Sequence, residues 1–267
     1  MTGPPPDVLA AFGAPGPARL LDGGQGRTWL AGDVVLKPVD EEAEHAWVCE
    51  VSSRWQCPDV DVARPRRAAS GWVVDGWGAQ TRRSGTTAVV AEDPDWFRAV
   101  HVAFHHAVAR LPRPGFLDTR DDAWAYGDRV AWEGAPAIGS EATRGLLERV
   151  LDRLEPVDLP AQIVHGDLVG NILRDGDRAT VIDWPPYWRP PGWALAVAAC
   201  DAICWDDADP SLLERWSDEP AWRQLLLRAA IYRLATHGRN QVRDPVPQGD
   251  EEFVVRTAWA LDLVERL

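Results

Sequence analysis

Lysine is nearly absent from this chain. Of its 28 basic residues 27 are arginine, and Lys37 stands alone. Asparagine is almost as scarce, at Asn171 and Asn240 only. No run approaches the ~20 apolar residues of a membrane-spanning helix, which excludes a membrane partner of that kind. The first residues lack the basic and apolar segments of a secretory leader. The four cysteines, Cys49, Cys57, Cys200 and Cys204, form no C-x-x-C pair, and they read as reduced core thiols of a cytoplasmic protein. Positive charge is also in deficit. A formal net charge of −13 repels a phosphate backbone, so nucleic acid is excluded as a partner, while a cationic small molecule is attracted.

What is present is a chain of 267 residues with 46% hydrophobic content, enough for one large domain or two small ones sharing a cleft. Because arginine serves wherever a generic positive charge is needed, a lone lysine on a strand marks a position where a compact ammonium fits and a guanidinium fork does not. The first part reads as strands. An apolar run ends in Gly23-Gly24-Gln25-Gly26, and a Gly32-Asp33 turn leads into Val34-Val35-Leu36-Lys37. Asp40 then precedes an acidic-headed helix carrying Trp47, Val48 and Val51, and Trp72-Val73-Val74 reads as a further strand. From Trp96 the apolar spacing turns helical, with further helices over Leu146–Leu154, Trp193–Trp205, Trp222–Ala235 and Phe253–Leu267. The stretch Pro112–Pro136 matches no period. These patterns predict a β-rich part over residues 1–80 and a helical part over 81–267.

Chemistry concentrates in Ile163-Val164-His165-Gly166-Asp167-Leu168-Val169-Gly170-Asn171, followed by Val181-Ile182-Asp183-Trp184. Two short apolar pieces each deliver a carboxylate at their end, with an asparagine between. Phosphoryl transfer asks for a hard-oxygen cage around magnesium and a carboxylate that aligns the acceptor hydroxyl. Asp183 and Asn171 suit the first task, and Asp167 suits the second.

The H-G-D-x-x-x-N and I-D-W pieces resemble the catalytic loop and metal motif of the aminoglycoside phosphotransferase and choline kinase family, itself protein-kinase-like. Gly23 to Gly26, Val35-Leu36-Lys37-Pro38, Val74-Asp75-Gly76-Trp77 and Tyr187-Trp188-Arg189-Pro190-Pro191 further resemble an actinobacterial subgroup of unassigned substrate. The resemblance covers nearly the whole chain and is weakest over Pro112–Pro160. It implies an α+β fold, a small antiparallel sheet with one helix followed by a larger, mainly helical lobe. It implies Asp167 as catalytic aspartate, Asn171 and Asp183 as metal ligands, His165 as a brace of the loop, and Asp201 as a buried tether. Gly24 and Gly26 become the loop over the phosphates and Lys37 the phosphate-gripping lysine. Glu44 becomes the acidic partner of Lys37, with Glu50 as the alternative. Val74–Gln80 becomes the crossover between lobes, with backbone at Gly78 and Ala79 meeting the adenine edge. The implied cofactors are ATP or another nucleoside triphosphate and Mg2+. The implied substrate is a hydroxylated small molecule of aminoglycoside, sugar or amino-alcohol type.

The chain departs from that pattern twice. Asp167 and Asn171 are separated by one residue fewer than usual, which asks Gly170 for an unusual torsion. Pro185-Pro186 follows Asp183-Trp184 where a glycine is usual, which argues against a long regulated activation loop. The shortened loop favours the alternative reading, a kinase-fold protein that binds nucleotide or ligand with little transfer.

Overall fold

Two-residue turns set the first sheet. The structure, a computed structural model, describes residues 2–22, 26–243 and 250–266. In chain order the elements are α1 (Pro6–Ala11), β1 (Arg19–Leu20), β2 (Trp29–Ala31), β3 (Val34–Pro38), α2 (Glu42–Ser53), β4 (Asp61–Val62), β5 (Val73–Val74), β6 (Trp77–Thr81), β7 (Thr86–Thr87), α3 (Pro94–Val108), α4 (Ala123–Glu133), α5 (Glu141–Leu151), β8 (Gln162–His165), β9 (Ile172–Asp175), β10 (Arg178–Val181), β11 (Pro186–Arg189), α6 (Pro191–Trp205), α7 (Leu212–Arg215), α8 (Trp222–Arg243) and α9 (Asp250–Val264). Among the described residues no helix is long and apolar enough to cross a membrane.

The chain divides into two compact units, Met1–Ala88 with Asn171–Pro186, and Val89–Gly170 with Tyr187–Leu267. A single boundary near residue 80 was expected. The chain instead leaves the first unit after Ala88, then returns to it for β9 and β10.

Unit 1 holds a five-stranded antiparallel sheet in the order β1-β2-β3-β6-β5 and a four-stranded sheet in the order β4-β10-β9-β7. Gly32 (φ 60°) turns β2 into β3 as its sequence suggests. The crossover expected over Val74–Gln80 is different. Asp75 (φ 47°) and Gly76 (φ 75°) form a two-residue turn, and the chain folds straight back as β6. Asp-Gly between apolar runs is a strong hairpin signal, because both residues tolerate positive φ. Gly78 and Ala79 are therefore interior to β6, opposite Lys37 and Leu36 of β3. The Ala79 carbonyl accepts from Arg66 N at 2.8 Å, so this backbone is engaged within the sheet. Val8, Phe12, Ala31, Val34, Leu36, Ala68 and Ala79 form a buried core for the unit.

Unit 2 is built around α8, which packs against α4, α5, α6 and α9. Helix α6 is buried from Gly192 to Cys204, the signature of a central helix apolar all round, and Asp201 is the one charged residue in that span. The unassigned Pro112–Pro136 stretch contains α4. Its cap is legible afterwards: Asp122 accepts from Trp124 N and Ala125 N, each at 2.9 Å, and Gly134 closes the helix at φ 73°.

Candidate functional site

In unit 1, strand β3 carries Lys37 out of the core at its fourth position, just before Pro38. Lys37 Nζ donates to Asp183 Oδ2 at 2.9 Å, across 146 residues of sequence. The two side chains are 30% and 54% exposed, so the pair adds at most about 1 kcal/mol to stability. Its significance is chemical. The Asp183 segment is held in register from both sides. Gln80 Nε2 donates to the Ile182 carbonyl at 2.9 Å, and Ile182 N donates to the Asn171 carbonyl at 3.0 Å. That last bond extends the β9–β10 ladder by one step and brings Asn171 to the residue before Asp183. The Trp184 ring, next in sequence, packs on Trp47 of α2 at 5.4 Å.

Helix α2 lies hard against β6 at the same level. A Cβ on Gly78 would stand 2.3 Å from Cε1 and Nε2 of His45, so only glycine admits this approach. Burial pulls the His45 pKa below its ordinary value, and the Asp183 carboxylate pulls the other way. Glu44 is half-buried at the neighbouring position of α2, whereas Glu50 pairs with Arg54 in the next turn. Gly26 adopts φ 66° in the β1–β2 loop, and no described residue comes within 4 Å of where its Cβ would stand, so its backbone conformation favours glycine. Gly24 lies outside the described residues.

One carboxylate and one amide, at the open end of a hairpin, suit magnesium, which is held by one or two carboxylates plus phosphates and waters. Among the described residues no group of three or more His, Cys, Asp and Glu forms a cage for a softer or more demanding ion.

In unit 2, β8 ends at His165 and delivers Asp167 two residues later. His165 is fully buried. Its Nδ1 accepts from Asp167 N at 3.0 Å, so its ring proton lies on Nε2. His165 N in turn donates to His105 Nε2 at 3.2 Å, and His105 Nδ1 donates to the His101 carbonyl at 2.8 Å. Desolvation holds both α3 histidines neutral: it pushes His101 down to about 4 and His105 well below its usual value. Gly170 has φ 80°, the torsion that the shortened loop demands.

The Asp167 side chain meets a residue that the sequence reading passed over. Arg233 of α8 donates from Nη2 to Asp167 Oδ1 at 2.5 Å, and from Nε to Asp201 Oδ1 at 2.8 Å. Its Nη2 also pairs with Asp201 Oδ2. Burial pulls the Arg233 pKa down, but Asp201 and Asp167 outweigh it and hold the guanidinium firmly protonated. Burial pushes the Asp201 carboxyl up, against the pull of Arg233. With 27 arginines in the chain, the only signal for Arg233 was a charge inside the apolar run Leu225–Ala235.

Asn171, Asp183 and Lys37 thus belong to unit 1, while His165, Asp167 and Asp201 belong to unit 2.

No protein-family model matches the chain, and no curated protein does. Solved structures do. A choline/ethanolamine kinase family protein from Mesorhizobium loti is 17% identical, with TM-score 0.62 over 98% of this chain and 90% of that one. A thermostable mutant of aminoglycoside phosphotransferase APH(4)-Ia, in ternary complex with ADP and hygromycin B, is 14% identical, with TM-score 0.61 over 97% and 96% of the two chains. Aminoglycoside 2'-phosphotransferase-IIIa in complex with GDP is 12% identical, with TM-score 0.56 over 97% and 95%. At these identities the likeness is one of fold, and the fold is protein-kinase-like.

Proposed function

We propose that this chain is a phosphotransferase that moves the terminal phosphoryl group of a magnesium nucleotide to a hydroxyl of a small molecule. The observation that carries the reading is the 2.9 Å pairing of Lys37 with Asp183, beside Asn171. It sets the chain's sole lysine next to the one acidic side chain that ends the β9–β10 hairpin. In this reading Lys37 grips the nucleotide phosphates, with Glu44 orienting it. Asp183 and Asn171 hold the magnesium, whose charge would offset that of the phosphates. Asp167, braced through its backbone by His165, orients the acceptor hydroxyl and receives its proton. In a loose transition state such alignment works together with electrostatic stabilisation and acceptance of the hydroxyl proton. The fold neighbours crystallised with ADP, GDP and hygromycin B support the nucleotide and the small hydroxylated acceptor.

The test measures nucleotide affinity by calorimetry with and without magnesium, then screens hydroxylated and amine-bearing metabolites for phosphate acceptance. Asp183→Ala is expected to lose the magnesium enhancement of affinity. Asp167→Asn is expected to keep affinity within a few-fold while transfer falls about 100-fold or more, the scale of general-base loss. Tight magnesium-nucleotide binding with no acceptor in a broad screen would overturn the enzyme reading in favour of a binding protein.

A further inference from the structure

Helix α8 carries one buried arginine and one nearly buried one, and they are used differently. Among the described residues Arg228 donates to main-chain carbonyls only, Ala131 O at 2.6 Å and Glu155 O at 2.8 Å. That is the work of a structural arginine, tying loops to a helix. Arg233, five residues on, engages carboxylates instead, from Asp201 of α6 and from Asp167 after β8.

A purely structural ion pair would stop at Asp201. One guanidinium and one carboxylate are neutral together, and the Arg233 and Asp201 side chains are 11% and 9% exposed. Asp167, itself 38% exposed, is a second carboxylate on the same Nη2. A buried ion pair is weak evidence for stability, so stability does not account for this second carboxylate.

The guanidinium is also not free to swing. Asp201 grips it through both Nε and Nη2, and its carbon lies 5.3 Å from the Trp124 ring centroid and 5.1 Å from that of Tyr232. Fork and stack together fix the plane in which Nη2 points at Asp167. Asp167 is then located twice, its backbone by His165 Nδ1 and its carboxylate by Arg233.

We infer that Arg233 is the positioning residue for Asp167, an arm of α8 set by Asp201 that fixes the carboxylate for the acceptor hydroxyl. The inference rests on the phosphotransferase reading proposed above. It assigns Asp201 a definite task, orienting Arg233, and it makes Trp124 part of the support.

The experiment compares full-length wild type with Arg233→Lys, Arg233→Gln and Asp201→Asn, using the acceptor found in the screen. Nucleotide affinity is expected to stay within twofold in all three, because unit 1 is untouched. Arg233→Gln is expected to lower kcat about 100-fold, the scale of a misplaced reacting group. Arg233→Lys keeps the charge but not the fork, and is expected to recover about tenfold of that loss. Asp201→Asn is expected to fall between. Should Arg233→Gln leave Asp201 too exposed to its own charge to fold, the double variant Arg233→Met with Asp201→Asn removes both charges, and the same loss of kcat is expected.

The outcomes separate the two readings. Transfer that Asp167→Asn abolishes but Arg233→Gln leaves within twofold overturns the positioning role and leaves the phosphotransferase reading standing. No transfer by wild type overturns the latter, and the arm is then read from nitrogen-15 side-chain spectra. An Arg233 guanidinium whose Nη rotation is slow in wild type and fast in Asp201→Asn supports it. Identical Arg233 spectra in the two proteins overturn it.

Discussion

The ring of Tyr187 occupies the space that a side chain at Gly166 would need: a Cβ there would stand 2.3 Å from Cε2 and 2.4 Å from Cδ2. The ring has nowhere to go, being 2% exposed, with its hydroxyl bonded to Tyr232 at 3.0 Å. Gly166→Ala is therefore expected to destabilise the fold by about 1–3 kcal/mol, the cost of overpacking a filled core. Chemical denaturation checks the size. A cycle with Tyr187→Leu checks the cause, since the two substitutions should offset each other when combined.

Lys37 gives a chemical handle that few proteins offer, a single side-chain amine. A lysine-directed nucleotide analogue is expected to modify Lys37, and excess magnesium nucleotide is expected to block it. Peptide mapping distinguishes it from the chain's α-amino group. Modification that proceeds equally with saturating nucleotide would remove Lys37 from the phosphate site. Lys37→Arg is expected to bind nucleotide more weakly than wild type, because the guanidinium fork is wider and less strongly hydrated than the ammonium.

Acid should loosen unit 2 through α3. His101 is buried with its pKa pushed down to about 4, while its ordinary value of 6.5 applies in the unfolded chain. The unfolded state then binds the extra proton between these values. The stability from a neutral His101 is full above about pH 6.5 and is lost as pH falls toward 4, by up to about 3 kcal/mol. His101→Gln retains a donor for the Pro191 carbonyl, which His101 Nε2 meets at 3.0 Å. Its unfolding free energy is expected to fall less steeply over that window. Parallel curves for the two proteins would show that His101 carries none of the acid sensitivity.

The ends of strands were the legible part of the site. Ile163-Val164 and Thr180-Val181 are apolar pieces too short for helices, and β8 and β10 end at His165 and Val181, with Asp167 and Asp183 each two residues beyond. The torsion at Gly170 was legible for the same local reason, since a shortened loop has few ways to close. Asp75-Gly76 was equally local but was passed over, because a crossover was expected where its hairpin lies. Arg233 was not legible. Its meaning comes from Asp201 and Asp167, 32 and 66 residues away, and no period in α8 distinguishes it from Arg228. Helix α4 was hidden by its composition, since the tryptophans and small residues between Asp122 and Gly134 make no clear stripe.

The return of Asn171–Pro186 to unit 1 has a consequence for the order in which the chain is made. Strand β4 pairs with β10 and β7 pairs with β9, so both wait for partners that leave the ribosome only after Val89–Gly170 has been synthesised. During that interval β4 and β7 of the nascent first unit lack their sheet partners, and unpaired strands of this kind are open to pairing with strands of other chains. Non-local pairing of this kind is also slow to form. The unit that carries Lys37 is thus begun first and completed late, and a chain stalled before residue 186 would present it unfinished.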